Sequence, residues 1–177
     1  MKKYHNATKL ATRVTISKME EAPSVEHKEK SKLEFRRATP EDVDEYMALE
    51  NTMLGNKKYS RSADRSEVLQ EFSENEVYLI RKGEQLVGSV EYQMKDADTA
   101  YISGLLVHPD FQGTRVAYEA VQLLAERLQG IKRIELVTHP ENRQILSISK
   151  KMGFKVVQRL ENHFGDGEPR LLLVRES

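Results

Sequence analysis

The chain has no cysteine among its 177 residues. That absence excludes a disulfide framework, a thiolate metal site and a cysteine nucleophile together. It has no excess charge of either sign, because 28 Lys and Arg balance 28 Asp and Glu. No global positive field argues for nucleic acid, and no polybasic block argues for an anionic membrane. The longest apolar runs are a few residues, far from the ~20 that a membrane-spanning helix needs. No apolar segment follows the opening Met-Lys-Lys-Tyr, so no signal peptide is expected, and the cytoplasm is the expected compartment. Phosphate-loop, dinucleotide-fingerprint, nucleophile-elbow and zinc-helix motifs are all missing. The five histidines (His5, His27, His108, His139 and His163) show no metal-ligand spacing, so no metal site is expected. The tyrosines are scattered, which does not support an aromatic platform for RNA.

What is present is one domain's worth of chain. Residues 1–32 are polar and charged, with a short alternating stretch at Arg13–Ser17 and a Lys/Glu-rich segment from Glu20 to Lys32. They are expected to form an N-terminal extension, partly disordered or contributing an edge strand. Residues 33–177 are expected to form the folded domain. At that size a domain buries roughly 68–70% of its unfolded surface and needs no staples.

Leu33–Ala38 alternates like a first strand. Thr39-Pro40-Glu41-Asp42 then reads as a helix start, with an N-cap threonine, proline at the first position and acids in the first turn. The helix is expected to run to about Met53, with Val43, Tyr46, Met47 and Leu49 inward. Asn51–Arg65 reads as loop, and Ser66–Ser73 as a short helix with Val68, Leu69 and Phe72 inward. Glu76–Arg81 and Gln85–Lys95 read as antiparallel strands joined at Lys82-Gly83-Glu84. Asp96-Ala97-Asp98 turns the chain again, into a strand at Tyr101–Val107.

That last strand opens the stretch around which the rest is organised. Tyr101–Val107 is apolar or small at nearly every position, as a strand covered on both faces would be. His108-Pro109-Asp110 stops it. Val116, Ala117, Ala120, Val121, Leu124 and Leu128 then recur at helical spacing up to a glycine cap at Gly130. A strand feeding a loop that opens a helix makes an anion site, because first-turn N–H groups lack intrahelical acceptors and the helix dipole favours negative charge. A plain β–α connection that binds nothing has the same sequence signature. Ile131–Thr138 reads as the next strand, parallel to the Tyr101 strand. His139–Asn142 opens a last helix with Ile145, Ile148 and Met152 at helical spacing, ended by Gly153. Phe154–Leu160 and Arg170–Arg175 close the chain as strands around an acidic, glycine-containing loop.

The segment His108–Ala117, HPDFQGTRVA, resembles the acetyl-CoA-binding motif Gln/Arg-x-x-Gly-x-Gly/Ala of the GNAT superfamily of N-acetyltransferases. Gln112 and Ala117 match its ends and Gly113 is a common occupant of the second place, whereas Arg115 stands where the family has glycine. Asn142 followed by Lys151-Met152-Gly153-Phe154 resembles the Asn…Lys-Leu-Gly-Phe run of the family's last helix. The resemblance spans Leu33 to Ser177 in the right order. It implies an α/β fold, GNAT-like, with a mixed, mostly antiparallel central sheet and helices on both faces. It also implies acetyl transfer from acetyl-CoA to a primary amine in one ternary complex, with a small molecule or a protein as acceptor and a homodimer as an open possibility. A second implication is open as well: a fold relative that binds coenzyme A weakly or not at all and serves as a sensing or interaction module.

By that resemblance Leu105, Leu106 and Val107 offer strand backbone to the pantetheine amides. Gln112, Gly113, Thr114, Arg115, Val116, Ala117 and Tyr118 wrap the pyrophosphate, and Asn142 holds the pantetheine end. Arg115 either crowds the phosphate with its Cβ or adds a guanidinium toward it. The acid–base residues match less well. One branch of the family has a glutamate base where this chain has Val137, and a tyrosine acid is common where it has Ser149. Other branches place the base at the positions of Tyr101 or Ser103. Glu91 and His163 are further candidates. The chemistry asks for a neutral amine, which at pH 7 is about one alkylamine in a thousand, a cost of roughly 4 kcal/mol. A positioned base contributes ~10²–10⁴ in rate, and proximity contributes ~7–11 kcal/mol.

Overall fold

The computed structural model describes residues 32–59 and 64–177. They belong to one compact unit, 31–177. The expectations for 1–31 lie outside the described residues.

Seven strands form one sheet: β1 (Leu33–Arg37), β2 (Glu76–Lys82), β3 (Gln85–Met94), β4 (Thr99–Val107), β5 (Arg133–Thr138), β6 (Lys155–Leu160) and β7 (Arg170–Glu176). Their order across the sheet is β1-β2-β3-β4-β5-β7-β6. Only β4 and β5 pair in parallel. The sheet is therefore mixed and mostly antiparallel, as expected. Among the described residues four α-helices accompany it: α1 (Val43–Asn51), α2 (Arg65–Glu74), α3 (Val116–Arg127) and α4 (Arg143–Lys151).

The two faces have separate cores. Val43, Tyr46 and Leu49 of α1 and Val68 of α2 are buried against Val77, Leu79 and Leu86. On the other face, Val116, Ala117, Ala120 and Leu124 of α3 pack with Tyr78, Ile80 and Val90, and Ile145 and Ile148 of α4 with Met152 just after it lie at the margin. Strand alternation sends neighbouring residues such as Leu79 and Ile80 to opposite cores.

Element ends differ from the sequence reading for local reasons. Pro40–Asp42 forms a separate 3₁₀ turn, and the α-helix starts only at Val43. Asp64 caps α2 through the N–H groups of Ser66 and Glu67, which brings Arg65 into that helix rather than the loop. Phe154 lies outside β6 because it closes α4: its N–H bonds Ser149 O at 3.0 Å, and Gly153 N–H bonds Lys150 O at 3.2 Å with φ +87°. That is a Schellman cap, and its left-handed residue is a glycine for steric reasons.

The largest difference concerns β4. Only Ala100 and Val107 of that strand are buried, and Ser103 is exposed. The reason is topological. β4 pairs with β5 only from Thr99–Arg133 to Ile102–Leu136, and beyond that the strands part. On its other side β4 stays paired with β3 as far as Gly88–Val107. A bulge in that ladder leaves Ser103 without an opposite number, since Glu91 faces Gly104 and Tyr92 faces Ile102.

Candidate active site

The parting of β4 from β5 opens a slot through the sheet. Its walls are Ser103–Leu106 on β4 and Leu136–Thr138 on β5. On one face Val121 and Leu124 of α3 and Ile145 and Ser149 of α4 close it. On the other face Tyr46 and Glu50 of α1, Tyr59, and Phe164 and Arg170 of the β6–β7 region close it. The cavity measures about 140 Å³. The edge of β4 from Ser103 to Val107 and the end of β5 therefore face each other without ladder bonds between them.

Glu91 lies in this slot, mostly buried. Its carboxylate crosses to the neighbouring strand and occupies the space above Gly104: a Cβ at Gly104 would fall on Oε1 and lie 2.8 Å from Cδ. Asn75 Nδ2 donates to Oε2 at 3.5 Å. Burial first, then the Glu71 charge and more weakly the Glu50 charge, push the Glu91 carboxyl up to about 8, against the opposing hydrogen bond from Asn75. A base with that value exchanges protons near neutral pH. Tyr46, buried on the same wall, has its phenol held far above its ordinary value by burial and by the Glu91, Glu50 and Glu71 charges.

The other expected site residues divide by position. Ser103 and Ser149 line the slot with Glu91. Tyr101 lies outside the slot lining, paired with Glu135 in the β4–β5 ladder and with Lys95 Nζ 5.1 Å from its ring. His163 is on the exposed β6–β7 loop, its ring against Phe164 and outside the slot lining. Val137 lines the slot, so the position where one branch carries a glutamate is occupied by an aliphatic wall.

The β4–α3 loop sits at the end of the slot. Gly113 has φ +75°, and nothing lies within 4 Å of a Cβ built on it. The loop therefore needs glycine there for backbone conformation, not for room. Gln112 serves the fold: its Nε2 donates to Val107 O at 3.1 Å and approaches Met53 Sδ at 3.8 Å. Thr114 Oγ1 donates to Phe111 O. Arg115 is helical, φ −79° and ψ −6°, so glycine is not required at this position. Its side chain is 76% exposed and runs toward Glu119 at 3.6 Å and over the Tyr118 ring. Val116 and Ala117 turn their side chains into the core and keep their N–H groups at the helix entrance, and Tyr118 is exposed. Leu105 and Leu106 line the slot, and Val107 is buried at its end.

Asn142 caps α4, with Oδ1 accepting from Ile145 N–H at 3.4 Å. It also borders both the slot and a polar cavity of about 470 Å³ shared with Gln112, Lys58, Tyr59 and Arg143. Three features thus lie close together: the stretch of β4 left unpaired by β5, the glycine-led entrance to α3, and a polar cavity bordered by Gln112 and Asn142.

Glu50, Tyr59, Thr138 and Arg170 line the slot without having been read as site residues. Only Arg170 carried a signal, as a charge heading the apolar run Leu171–Val174. Among the described residues no group of His, Asp or Glu is arranged to hold a metal ion, and no helix is long and apolar enough to cross a membrane.

Known proteins support the same reading of the fold. No curated protein matches the sequence. Among solved structures, Ard1 from Thermoplasma volcanium superposes with a TM-score of 0.71 at 18% identity, over 81% of this chain and 97% of that one. A GNAT family acetyltransferase from Elizabethkingia anophelis with acetyl-CoA bound gives 0.62 at 16%, over 82% and 98%. PaiA N-acetyltransferase from Thermoplasma acidophilum in complex with coenzyme A gives 0.62 at 20%, over 82% and 99%. These identities establish shared fold alone. The family model described as acetyltransferase (GNAT) family matches residues 42–154, which include every element that bounds the slot except the β6–β7 region. The chain therefore belongs to the GNAT family and is a GNAT-type N-acetyltransferase by that membership.

Proposed function

We propose that the chain moves the acetyl group of acetyl-CoA directly to a primary amine, with Glu91 as the base. The observation that carries this reading is the slot itself. Its lining runs from the α3–α4 face, where the helix entrance and Asn142 lie, to the α1–α2 face, where Glu91 stands over Gly104. A donor and an acceptor entering from opposite faces meet inside the sheet, and proximity of that kind contributes roughly 7–11 kcal/mol.

When bound, acetyl-CoA supplies an activated acyl carbon on a thiolate leaving group. The chain's residues do the rest. Backbone of Ser103–Leu106 holds the amide-bearing arm, and the N–H groups of Gly113, Arg115, Ala117 and Tyr118 meet the phosphates, those of Thr114 and Val116 being taken by Phe111 O and Thr114 Oγ1. Glu91 removes the proton that the attacking nitrogen must lose as the C–N bond forms. As the C–S bond breaks, Ser149 Oγ donates a hydrogen bond to the departing sulfur, which gains its proton from solvent. The apolar wall of Val121, Leu124 and Ile145 excludes water from the acyl carbon.

Calorimetric titration with acetyl-CoA tests the reading first. Micromolar affinity and acetylation of an amine from a panel of polyamines, lysine peptides and free N-termini are expected. Absence of heat and of any thermal shift at millimolar ligand overturns it. Binding without acetylation of any amine supports the sensing module instead. Arg115→Gly is expected to weaken acetyl-CoA binding by about 3–10-fold, with the difference shrinking at high salt, since an exposed cation is removed from the helix entrance. Tighter binding would mean that the side chain obstructs the cofactor.

A further inference from the structure

Two side chains at the ends of adjacent strands are buried although neither belongs to an apolar core. His139, just beyond β5, is 2% exposed, and Arg170, the first residue of β7, is 1% exposed. Thr138 and Leu171, their immediate neighbours, face each other in the β5–β7 ladder. Each fastens one acid of the β6–β7 loop. His139 Nε2 lies 3.1 Å from Glu168 Oε2, and Arg170 pairs with Asp166.

The bonds on His139 fix its proton. Nδ1 accepts from Glu141 N–H at 3.0 Å, so the ring hydrogen is on Nε2 and is donated to Glu168. His139 O accepts from Asn142 N–H at 2.9 Å. One residue thus holds the cap of α4 with its backbone and the β6–β7 loop with its ring. Glu168 N–H then bonds Asp166 Oδ1 at 3.0 Å, and Arg170 continues to Lys57 O at 3.3 Å, on the segment after α1. Lys57 Nζ returns to Glu141 at 3.4 Å and closes a ring of polar contacts. Asn142, on the donor side, is joined to this ring through His139 O, and the ring passes through both segments that wall the acceptor side.

We propose that His139 and Glu168 are positioning residues that couple the donor site to the acceptor side. Filling of the donor site at Asn142 is transmitted through the His139 imidazole to Glu168 and orders the β6–β7 loop for the amine. This rests on the acetyl-CoA reading above. Glu168 is the residue to vary, because its side chain is about one-third exposed and its loss leaves no buried charge unpaired.

The test is peptide-resolved hydrogen exchange over residues 161–169, with and without saturating acetyl-CoA, beside calorimetric Kd values for the same proteins. In the wild type, acetyl-CoA is expected to slow exchange in this loop at least about fivefold, a typical coupling between sites. Glu168→Ala is expected to keep the acetyl-CoA Kd within about twofold while the loop no longer responds, since its contribution to donor affinity is indirect. Glu168→Gln keeps an acceptor for the Nε2 hydrogen and should retain the response. A wild-type loop that binds acetyl-CoA but does not respond, or a Glu168→Ala loop that responds as the wild type does, overturns the coupling and leaves the transferase reading intact. Failure of the wild type to bind acetyl-CoA overturns both.

Discussion

Glu91→Gln should lower kcat by about 10²–10⁴-fold, the usual contribution of a positioned base, and leave acetyl-CoA affinity unchanged. Glutamine keeps the shape and the Asn75 contact but cannot take a proton. The wild-type rate should rise with pH and level off above about 8, where the carboxyl ionises. At pH 7 about one Glu91 in ten is ionised by that value. The variant's residual rate should lack this limb. Stability moves the other way. The folded-state value lies above the ordinary 4.5, so the folded protein holds a proton that the unfolded chain has released. The wild type therefore loses stability as pH rises from about 4.5 to 8, by a few kcal/mol at most. Glu91→Gln escapes that loss and should melt higher than wild type at pH 9, with the gap closing toward pH 5. A kcat–pH profile paired with melting curves at both pH values checks both halves. An unchanged rate at pH 8 would sink Glu91 as the base, and an unchanged melting gap would mean that the carboxyl is not held in its raised state.

Gly104→Ala should come second in effect, with a loss of activity of about 10²-fold or more and a modest fall in melting temperature. The three heavy atoms nearest to the added Cβ are Oε1, Cδ and Cγ of the Glu91 side chain, not backbone. The end of a flexible side chain can swing away at little cost, so the fold survives while the base leaves its station. Displacement of a catalytic group by an ångström is enough to cost about 10²-fold. The raised titration limb should also shift toward lower pH, because a displaced carboxylate is better solvated. The double variant Gly104→Ala/Glu91→Gln separates this from a general packing effect. The two losses should not add, since both remove one group. Additive losses would show that Gly104 acts on something other than Glu91.

Much of the fold was legible because its signals are local. Alternation marked β1 to β3, the spacing of Val116, Ala117, Ala120 and Leu124 marked α3, and Gly153 marked the end of α4 with φ of +87°, whereas Gly130, expected as the α3 cap, lies two residues past the cap at Leu128 with φ of +86°. The slot was not legible, because the point at which β4 leaves β5 is a property of the sheet. Nothing in Tyr101–Val107 distinguishes a strand that loses a partner halfway from one paired throughout, which is why full burial was expected there. The environment of Glu91 was hidden for a similar reason. Glu50, Glu71, Asn75 and Gly104 reach it from α1, the end of α2 and β4, and only the folded chain assembles them. Arg115 shows the converse. It breaks the family pattern in sequence, yet its helical backbone does not require the glycine that the pattern has there.

The early end of the β4–β5 ladder at Ile102–Leu136 places a sheet margin in the interior of the molecule. Outer margins with free N–H and C=O groups invite other chains to add strands, and proteins usually blunt them with charges, bulges or prolines. An interior margin needs no such defence. The cavity of about 140 Å³ beside it is lined by side chains from both faces of the sheet. The protein thus keeps reactive backbone available without offering a template for aggregation. The same feature sets a trade-off: substitutions that zip β4 and β5 together past Ile102 should harden the domain and abolish its activity in one stroke.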